Sequence, residues 1–251
     1  MYSPLQGHEL CYGMADTPEG PFMYQGVLIS NGDLGYQGNT MPACYFGNNH
    51  GGLVKLGDRA AIFWHRQTHG TSFSRQGCAD FVEILADGTI LQVEMTSGGL
   101  SGILPAKGNY SAGYACNLWE GHREKTGEVL MGMEPGKRIT DFPEEMVFIT
   151  EEEKEDGTIL PYVYNLRKGA CAGFKYFRFS GMESEITVRL RGHGKLAFSV
   201  DVPEAFPAAV FESSSEDWGE IKGAIKVEKG IHALYFAGMD GKLDFSEFSI
   251  C

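Results

Sequence analysis

The chain has 251 residues, with 33 acidic against 21 basic side chains and a formal net charge of −12. That balance excludes a nucleic-acid binder, which needs a basic face to displace counterions, and it opposes attachment to an anionic membrane surface. Hydrophobic residues make up 43% of the sequence, enough for a core, yet no uncharged apolar run approaches the ~18 residues of a membrane span, so no membrane partner is expected.

The first residues, MYSPLQGHELCYG, have neither a basic n-region nor an apolar h-region. No signal peptide is expected, and a cytoplasmic location follows as an expectation. Short apolar runs between turn signals, with 34 glycines, read as an all-β chain. Strands are expected at 8–15, 22–30, 52–56, 60–65, 81–85, 90–94, 174–180, 184–191, 196–200, 221–227, 232–237 and 242–250. Gly57-Asp58, Asp87-Gly88 and Asp240-Gly241 are the expected turns between several of them. Only the acidic run 142–155 has helical character, and it reads equally as a solvated loop. Gly, Pro and Ser cluster over 98–112 as in a linker, which divides the chain into 1–105 and 112–251. The six cysteines (Cys11, Cys44, Cys78, Cys116, Cys171 and Cys251) show no CxxC pair and no Cys/His zinc spacing, so buried free thiols in a reducing compartment are expected.

The densest chemistry lies between residues 47 and 80. His50 sits among small and polar residues, a strand-like run ends in His65-Arg66-Gln67, and Arg75-Gln76 follow a Ser/Thr/Gly loop. Two imidazoles, two guanidiniums and several amides with few carboxylates suit a neutral, hydroxyl-rich or anionic ligand, for which sugars are the natural candidates. His65 and Arg66 serve either ligand contact or strand capping and salt bridging. Arg75 offers a planar fork for a carboxylate or adjacent hydroxyls, or pins its loop. His69 reads as surface loop. No nucleophile elbow, P-loop, dinucleotide fingerprint or HExxH motif is present.

HELCYGMADTPEGPFMYQGVLIS, GNNHGGLV, AAIFWHRQT and FSRQGCADFVEI resemble the last blades of family 43 glycoside hydrolases, five-bladed β-propellers acting mainly on xylosides and arabinosides. The likeness covers roughly residues 6–105. PYVYNLRKGACAGFKYFRF, SEITVRLRG and GIHALYFAGMDGKLDFSEFSI are similar to the jelly-roll domains of family 6 carbohydrate-binding modules. The resemblance implies a partial propeller followed by a jelly-roll β-sandwich.

It also implies inverting hydrolysis by an Asp base and a Glu acid on opposite sides of the scissile bond, with a further Asp tuning the acid. The family carries all three in earlier blades, so they are expected to be absent here. Among the carboxylates at hand (Glu9, Asp16, Asp33, Asp80, Glu83 and Glu94), Asp33 in SNGDLGY and Asp80 are the candidate local acids, against roles in turns or salt bridges. His50 matches the family's propeller-axis histidine, which makes it the candidate substrate and calcium residue. Calcium nevertheless prefers oxygen ligands, and a histidine held by backbone in a Gly/Asn turn is the alternative. Trp119, Tyr162, Tyr164 and Trp218 either stack on sugar rings or belong to the sandwich core. YSAGYACNL lacks a carboxylate and Ser246 stands where an Asp is expected, which weighs against calcium in the second part.

A propeller lacking blades leaves a sheet edge open, so a homo-oligomer covering residues 1–105 is expected. The expected function is a shortened family-43-like glycosidase acting on xylosides, arabinosides or related plant-wall sugars, completed by oligomerisation, by a separate partner or by a local acid. The alternative is a non-catalytic carbohydrate-binding protein or an inactive fragment.

Overall fold

The computed structural model describes residues 9–44, 49–71, 73–120, 146–203 and 205–251. Among these residues the regular structure is strand, apart from three short 3-10 turns at Tyr36–Gly38, Gly99–Ser101 and Ala112–Tyr114. The chain is all-β, and no described helix is long and apolar enough to cross a membrane.

The first part holds two small antiparallel sheets of the kind that make propeller blades. Strands β1 (Leu10–Met14) and β2 (Met23–Ile29) form one hairpin. Strands β3 (Gly52–Leu56), β4 (Arg59–Thr68) and β5 (Ser74–Val82) form a three-stranded sheet in that order. Leu10, Tyr12, Leu28, Ile29, Ile62, Trp64, Val93, Met95 and Cys116 pack as a common core under both sheets. Segment 90–96 laces the two together: the Val93 amide donates to the Leu28 carbonyl at 2.8 Å, and the Tyr12 hydroxyl accepts from the Ile90 amide at 2.9 Å. This segment makes only single bridges, Ile29 to Val93 and Ile84 to Ile90, in place of the strand expected at 90–94.

The second part is a curled nine-stranded sheet, counted among the described residues. Its members are β6 (Leu104–Pro105), β7 (Gly108–Ser111), β8 (Asn117–Trp119), β9 (Phe148–Glu153), β10 (Ile159–Arg167), β11 (Cys171–Phe179), β12 (Glu185–Val200), β13 (Ala209–Ala224) and β14 (Gly230–Ile250). Strand β14 organises it. Its first half pairs with β11, its second half with β10, its end with β7, and most of its length with β12. A strand that changes partners along its length curls the sheet over a single interior. Phe174, Phe177, Phe198, Phe236, Phe245 and Phe248 fill that interior with ring centroids 4.7–6.2 Å apart, largely edge to face. Each such ring, fully removed from water, contributes about 2–3 kcal/mol.

Several expected elements change. Asp240-Gly241 does not separate two strands, and 184–191 and 196–200 are one strand. Gly192, Gly194 and Gly241 bring the β12 and β14 backbones so close that a Cβ on Gly241 would lie 2.0 Å from the His193 carbonyl oxygen. Gly241 has φ 62, a conformation glycine accepts, and the bulge lies beside it, where Lys195 pairs with Asp240 and Leu196 with Gly238. The acidic run is strand β9 over Phe148–Glu153, an edge strand paired to β10; its positions 142–145, like residue 8 of the first expected strand, lie outside the described residues. The stretch 98–112 is no spacer. Ala106 donates to the Arg178 carbonyl at 2.9 Å, Tyr110 packs edge-on against Phe177, and β7 joins the sheet. Cysteines 11, 44, 116 and 171 are buried free thiols, Cys78 is half-buried and Cys251 is exposed.

Candidate functional site

Pairing within β4–β5 sorts the expected ligand residues. His65 stands opposite Gly77, Arg66 opposite Gln76, and Gln67 opposite Arg75. Directly opposed residues share a face and successive residues alternate faces. His65, Gln67 and Arg75 therefore occupy one side, and Arg66 and Gln76 the other. Nothing lies within 4 Å of a Cβ built on Gly77, so space is left beside His65.

His50 joins the first group. Its ring centroid is 5.5 Å from that of His65, at an interplanar angle of 32°. Burial, and then the Arg75 and His50 charges, hold the His65 imidazole below its ordinary range, which makes it a neutral donor–acceptor near pH 7. The loop carrying His50 reaches this place because residue 51 is glycine. A Cβ there would sit 2.2 Å from the Phe63 carbonyl oxygen and 3.1 Å from the Trp64 Cβ.

A buried amide holds the group. Asn31 donates to the His65 carbonyl at 3.3 Å, and its Oδ1 accepts from Trp64 Nε1 at 3.1 Å and from Asn49 Nδ2 at 3.5 Å. Asn49 Oδ1 and His65 Nδ1 are buried and have no hydrogen-bond partner among the described residues. Sequence reasoning missed Asn31 and Asn49, because Asn31-Gly32 reads as an ordinary turn and its partners are distant in sequence.

Arg66 and Gln76 face the sandwich. Arg66 is buried and donates from Nε to the Gln76 side-chain oxygen at 2.8 Å, and to the carbonyls of Ala115 at 2.5 Å and Gly113 at 3.3 Å. Gln76 Nε2 donates to Gly113 O at 3.0 Å. They border a cavity of about 420 Å³ between sheet and sandwich, on the opposite side from the histidines. The expectation that they join His50, His65 and Arg75 at one ligand is thus corrected by strand alternation.

The candidate acids are separated from the histidines in the same way. Asp80 pairs with Ile62 and shares the Arg66 face. Its two carboxylate oxygens accept from the Thr96 hydroxyl at 3.0 and 3.1 Å, and burial pushes its carboxyl up to about 7, with Glu94 and Asp33 adding to the rise. Asp33 is buried with Oδ2 3.1 Å from Lys175 Nζ and Oδ1 accepting from the Met95 amide at 2.8 Å. Burial pushes its carboxyl up against the pull of Lys175. Lys175 also meets Glu94 at 2.7 Å, and Tyr176 donates to the same carboxylate at 3.0 Å. Burial opposes the Lys175 charge, but Cys116, Asp33 and Glu94 outweigh it and hold the ammonium above its ordinary range. Asp33 is thus engaged by Lys175 at the junction with the sandwich and Asp80 by Thr96 within the first part, each on partners other than the histidines. Glu9, by contrast, lies beside Ser30 at the edge of the Asn31 turn, its carboxyl raised by burial and lowered in part by the Ser30 hydroxyl.

Among the described residues no three His, Cys, Asp or Glu side chains gather as a metal site. A pair of imidazoles without carboxylates does not fit calcium, so no step is drawn through that ion. The sandwich aromatics are tied in place. Trp119 packs on Tyr235, and Tyr164 stacks on Phe148. Arg191 lies over Tyr162 at 5.0 Å and Trp218 at 4.4 Å, while the Trp218 indole donates to Glu152 at 2.6 Å.

No family model matches the chain. It is 38% identical over 259 aligned residues to a xylosidase/arabinosidase of Thermoclostridium stercorarium, covering all of this chain and 53% of that relative. A crystal structure of a family 43 arabinoxylan arabinofuranohydrolase from Bacillus subtilis, solved with cellotetraose, aligns over 98% of this chain and 48% of its own at TM-score 0.50 and 17% identity. A family 6 carbohydrate-binding module from Clostridium stercorarium, solved with cellobiose, aligns over 60% of this chain and 98% of its own at TM-score 0.43 and 11% identity. The chain thus spans about half the length of the xylosidase/arabinosidase relative that it matches. By sequence the chain is similar to part of a xylosidase/arabinosidase, and by fold to part of a family 43 arabinoxylan arabinofuranohydrolase.

Proposed function

We propose that this chain supplies the sugar-positioning rim of a family-43-like glycoside hydrolase acting on xylosides, arabinosides or related plant-wall glycosides. The observation that carries this reading is the grouping of His50, His65 and Arg75 on one face, beside the gap left by Gly77. Imidazoles and a guanidinium offer directed hydrogen bonds to sugar hydroxyls, and the buried Asn31 amide behind them holds the backbone at His65. The acid and base are groups other than Asp33 and Asp80, supplied elsewhere in the protein or across an interface with a partner. Strand β3 is where such a partner would sit. It is an edge strand exposed at all five positions, and Leu53, Val54, Phe81 and Ile84 line a groove of about 680 Å³ beside it. A homo-oligomer covering this side is part of the proposal.

A second reading, a carbohydrate-binding protein without turnover, is favoured by one observation: Asp33 and Asp80 are engaged by Lys175 and Thr96, partners other than the histidines. Incubation of the purified chain with aryl xyloside and aryl arabinofuranoside substrates, with thermal melts in xylo- and arabino-oligosaccharides, separates the two. Turnover supports the first, sugar-dependent stabilisation without turnover the second, and neither response removes both.

A further inference from the structure

We propose that Lys175, a residue of the sandwich, is a positioning residue for the histidine face of the β3–β5 sheet, acting through Asp33 and Asn31. The connection is continuous and buried. Lys175 Nζ meets Asp33 Oδ2 at 3.1 Å, and the Lys175 backbone is itself fixed by Ser97, whose amide donates to the Lys175 carbonyl at 2.6 Å. Asp33 closes the turn that presents Asn31: its amide donates to the Ser30 carbonyl at 3.0 Å, and the Leu34 amide donates to Ser30 Oγ at 3.2 Å. Asp33 has φ 52, a left-handed conformation that needs outside support. The Met95 amide and Lys175 supply it, one on each carboxylate oxygen. Asn31, two residues earlier, then holds the His65 carbonyl, the Trp64 indole and Asn49, the neighbour of His50.

Every side chain in the series is at least nine-tenths buried, so none has water as a substitute partner. Removing Lys175 leaves the buried Asp33 carboxyl without its cation, so that it takes up a proton or turns toward solvent. Either change withdraws support from the 30–33 turn and loosens the hold on Asn31. The sandwich is on this account a structural part of the histidine site, not an appended module. The inference rests on the placement of His50 and His65 in the proposed site and not on any sugar.

Imidazole NMR of the full chain without sugar tests it. Lys175→Met removes the cation from the Asp33 carboxyl, and Asn31→Ser makes a smaller cut in the same series. Lys175→Met/Asp33→Asn, which takes away the unpaired carboxylate while Asn tolerates the left-handed conformation, and Gln76→Ala, which loosens the same junction from the other face, are the controls. The expected result is displacement or exchange broadening of the His50 and His65 ring signals in Lys175→Met and in Asn31→Ser, a smaller change in the double variant, and wild-type signals in Gln76→Ala. Wild-type ring signals in folded Lys175→Met or in folded Asn31→Ser overturn the relay, as does equal displacement in Gln76→Ala. Because no sugar enters the readout, failure of the relay is distinguishable from failure of glycan binding.

Discussion

His65 and Arg66 are adjacent in β4 yet serve opposite sides of the sheet. The His65 ring lies 5.5 Å from His50, while the Arg66 guanidinium reaches the carbonyls of Gly113 and Ala115 at the sandwich junction. One residue of strand pleat separates the proposed ligand face from the junction with the sandwich, and the substitutions that distinguish them follow from that.

Arg66→Ala leaves two buried carbonyls without their charged donor. We expect a loss of about 2–3 kcal/mol and, for a chain of this size, a fall in Tm of roughly 5–10 °C. Arg75→Ala, at an exposed position, shifts Tm little but weakens oligosaccharide binding. Differential scanning calorimetry beside binding titrations checks both.

Lys175→Met alone strands Asp33 and Glu94, and a broken buried ion pair typically costs about 3–5 kcal/mol. Adding Asp33→Asn recovers part of that loss, since it removes one of the two stranded anions and leaves Glu94. Urea unfolding of the single and double variants gives the comparison. A double variant no more stable than the single one contradicts the pairing.

Asp80 gives stability a pH dependence. Its folded carboxyl is raised to about 7 from the ordinary value of 3.8, so between these values the folded state binds a proton that the unfolded state has released. Its contribution is therefore fully present below about 4 and is lost as pH rises through 7, by at most about 4 kcal/mol. Asp80→Asn keeps a partner for Thr96 and should flatten this part of the curve. Unfolding measured from pH 4 to 8 reads it directly.

Gly51→Ala places a methyl group against the Phe63 carbonyl and the Leu10 and Trp64 side chains. We expect a destabilisation of about 1–3 kcal/mol together with displacement of His50, seen as weaker sugar binding. Binding unchanged from wild type would mean that the His50 loop is not held there.

The exposed β3 edge predicts self-association. Light scattering should report more than a monomer, and Leu53→Lys with Val54→Lys should return the chain to monomer. A wild-type monomer at working concentration contradicts this part of the proposal.

The all-β character was legible because apolar runs and turn dipeptides carry local signals. Strand β3 was read at its observed bounds, since Gly57-Asp58 does close its hairpin. Strand β5 was not, because SRQG reads as loop polarity while its pairing with β4 is decided across the sheet. Strand β9 hid in an acidic run that an exposed edge strand tolerates. The β12–β14 crossing glycines read as turns because their close backbone approach is a tertiary fact. His50, His65 and Arg75 were chosen by chemical type, and the structure brings them to one face. The separation of Arg66, Gln76 and Asp80 required only the strand register, which a sequence pattern does not supply. Asn31 and Lys175 carried no signal, since their side chains act on partners at least 18 and 81 positions away respectively.

Isothermal titration of xylo- and arabino-oligosaccharides into three proteins tests the central claim most directly: the unaltered chain, His50→Ala/Arg75→Ala, and Trp218→Ala. The account predicts saturable binding that falls at least about tenfold, roughly 1.4 kcal/mol, in the double variant and is retained in Trp218→Ala. Binding that survives in His50→Ala/Arg75→Ala but is lost in Trp218→Ala would move the sugar to the sandwich and contradict the account.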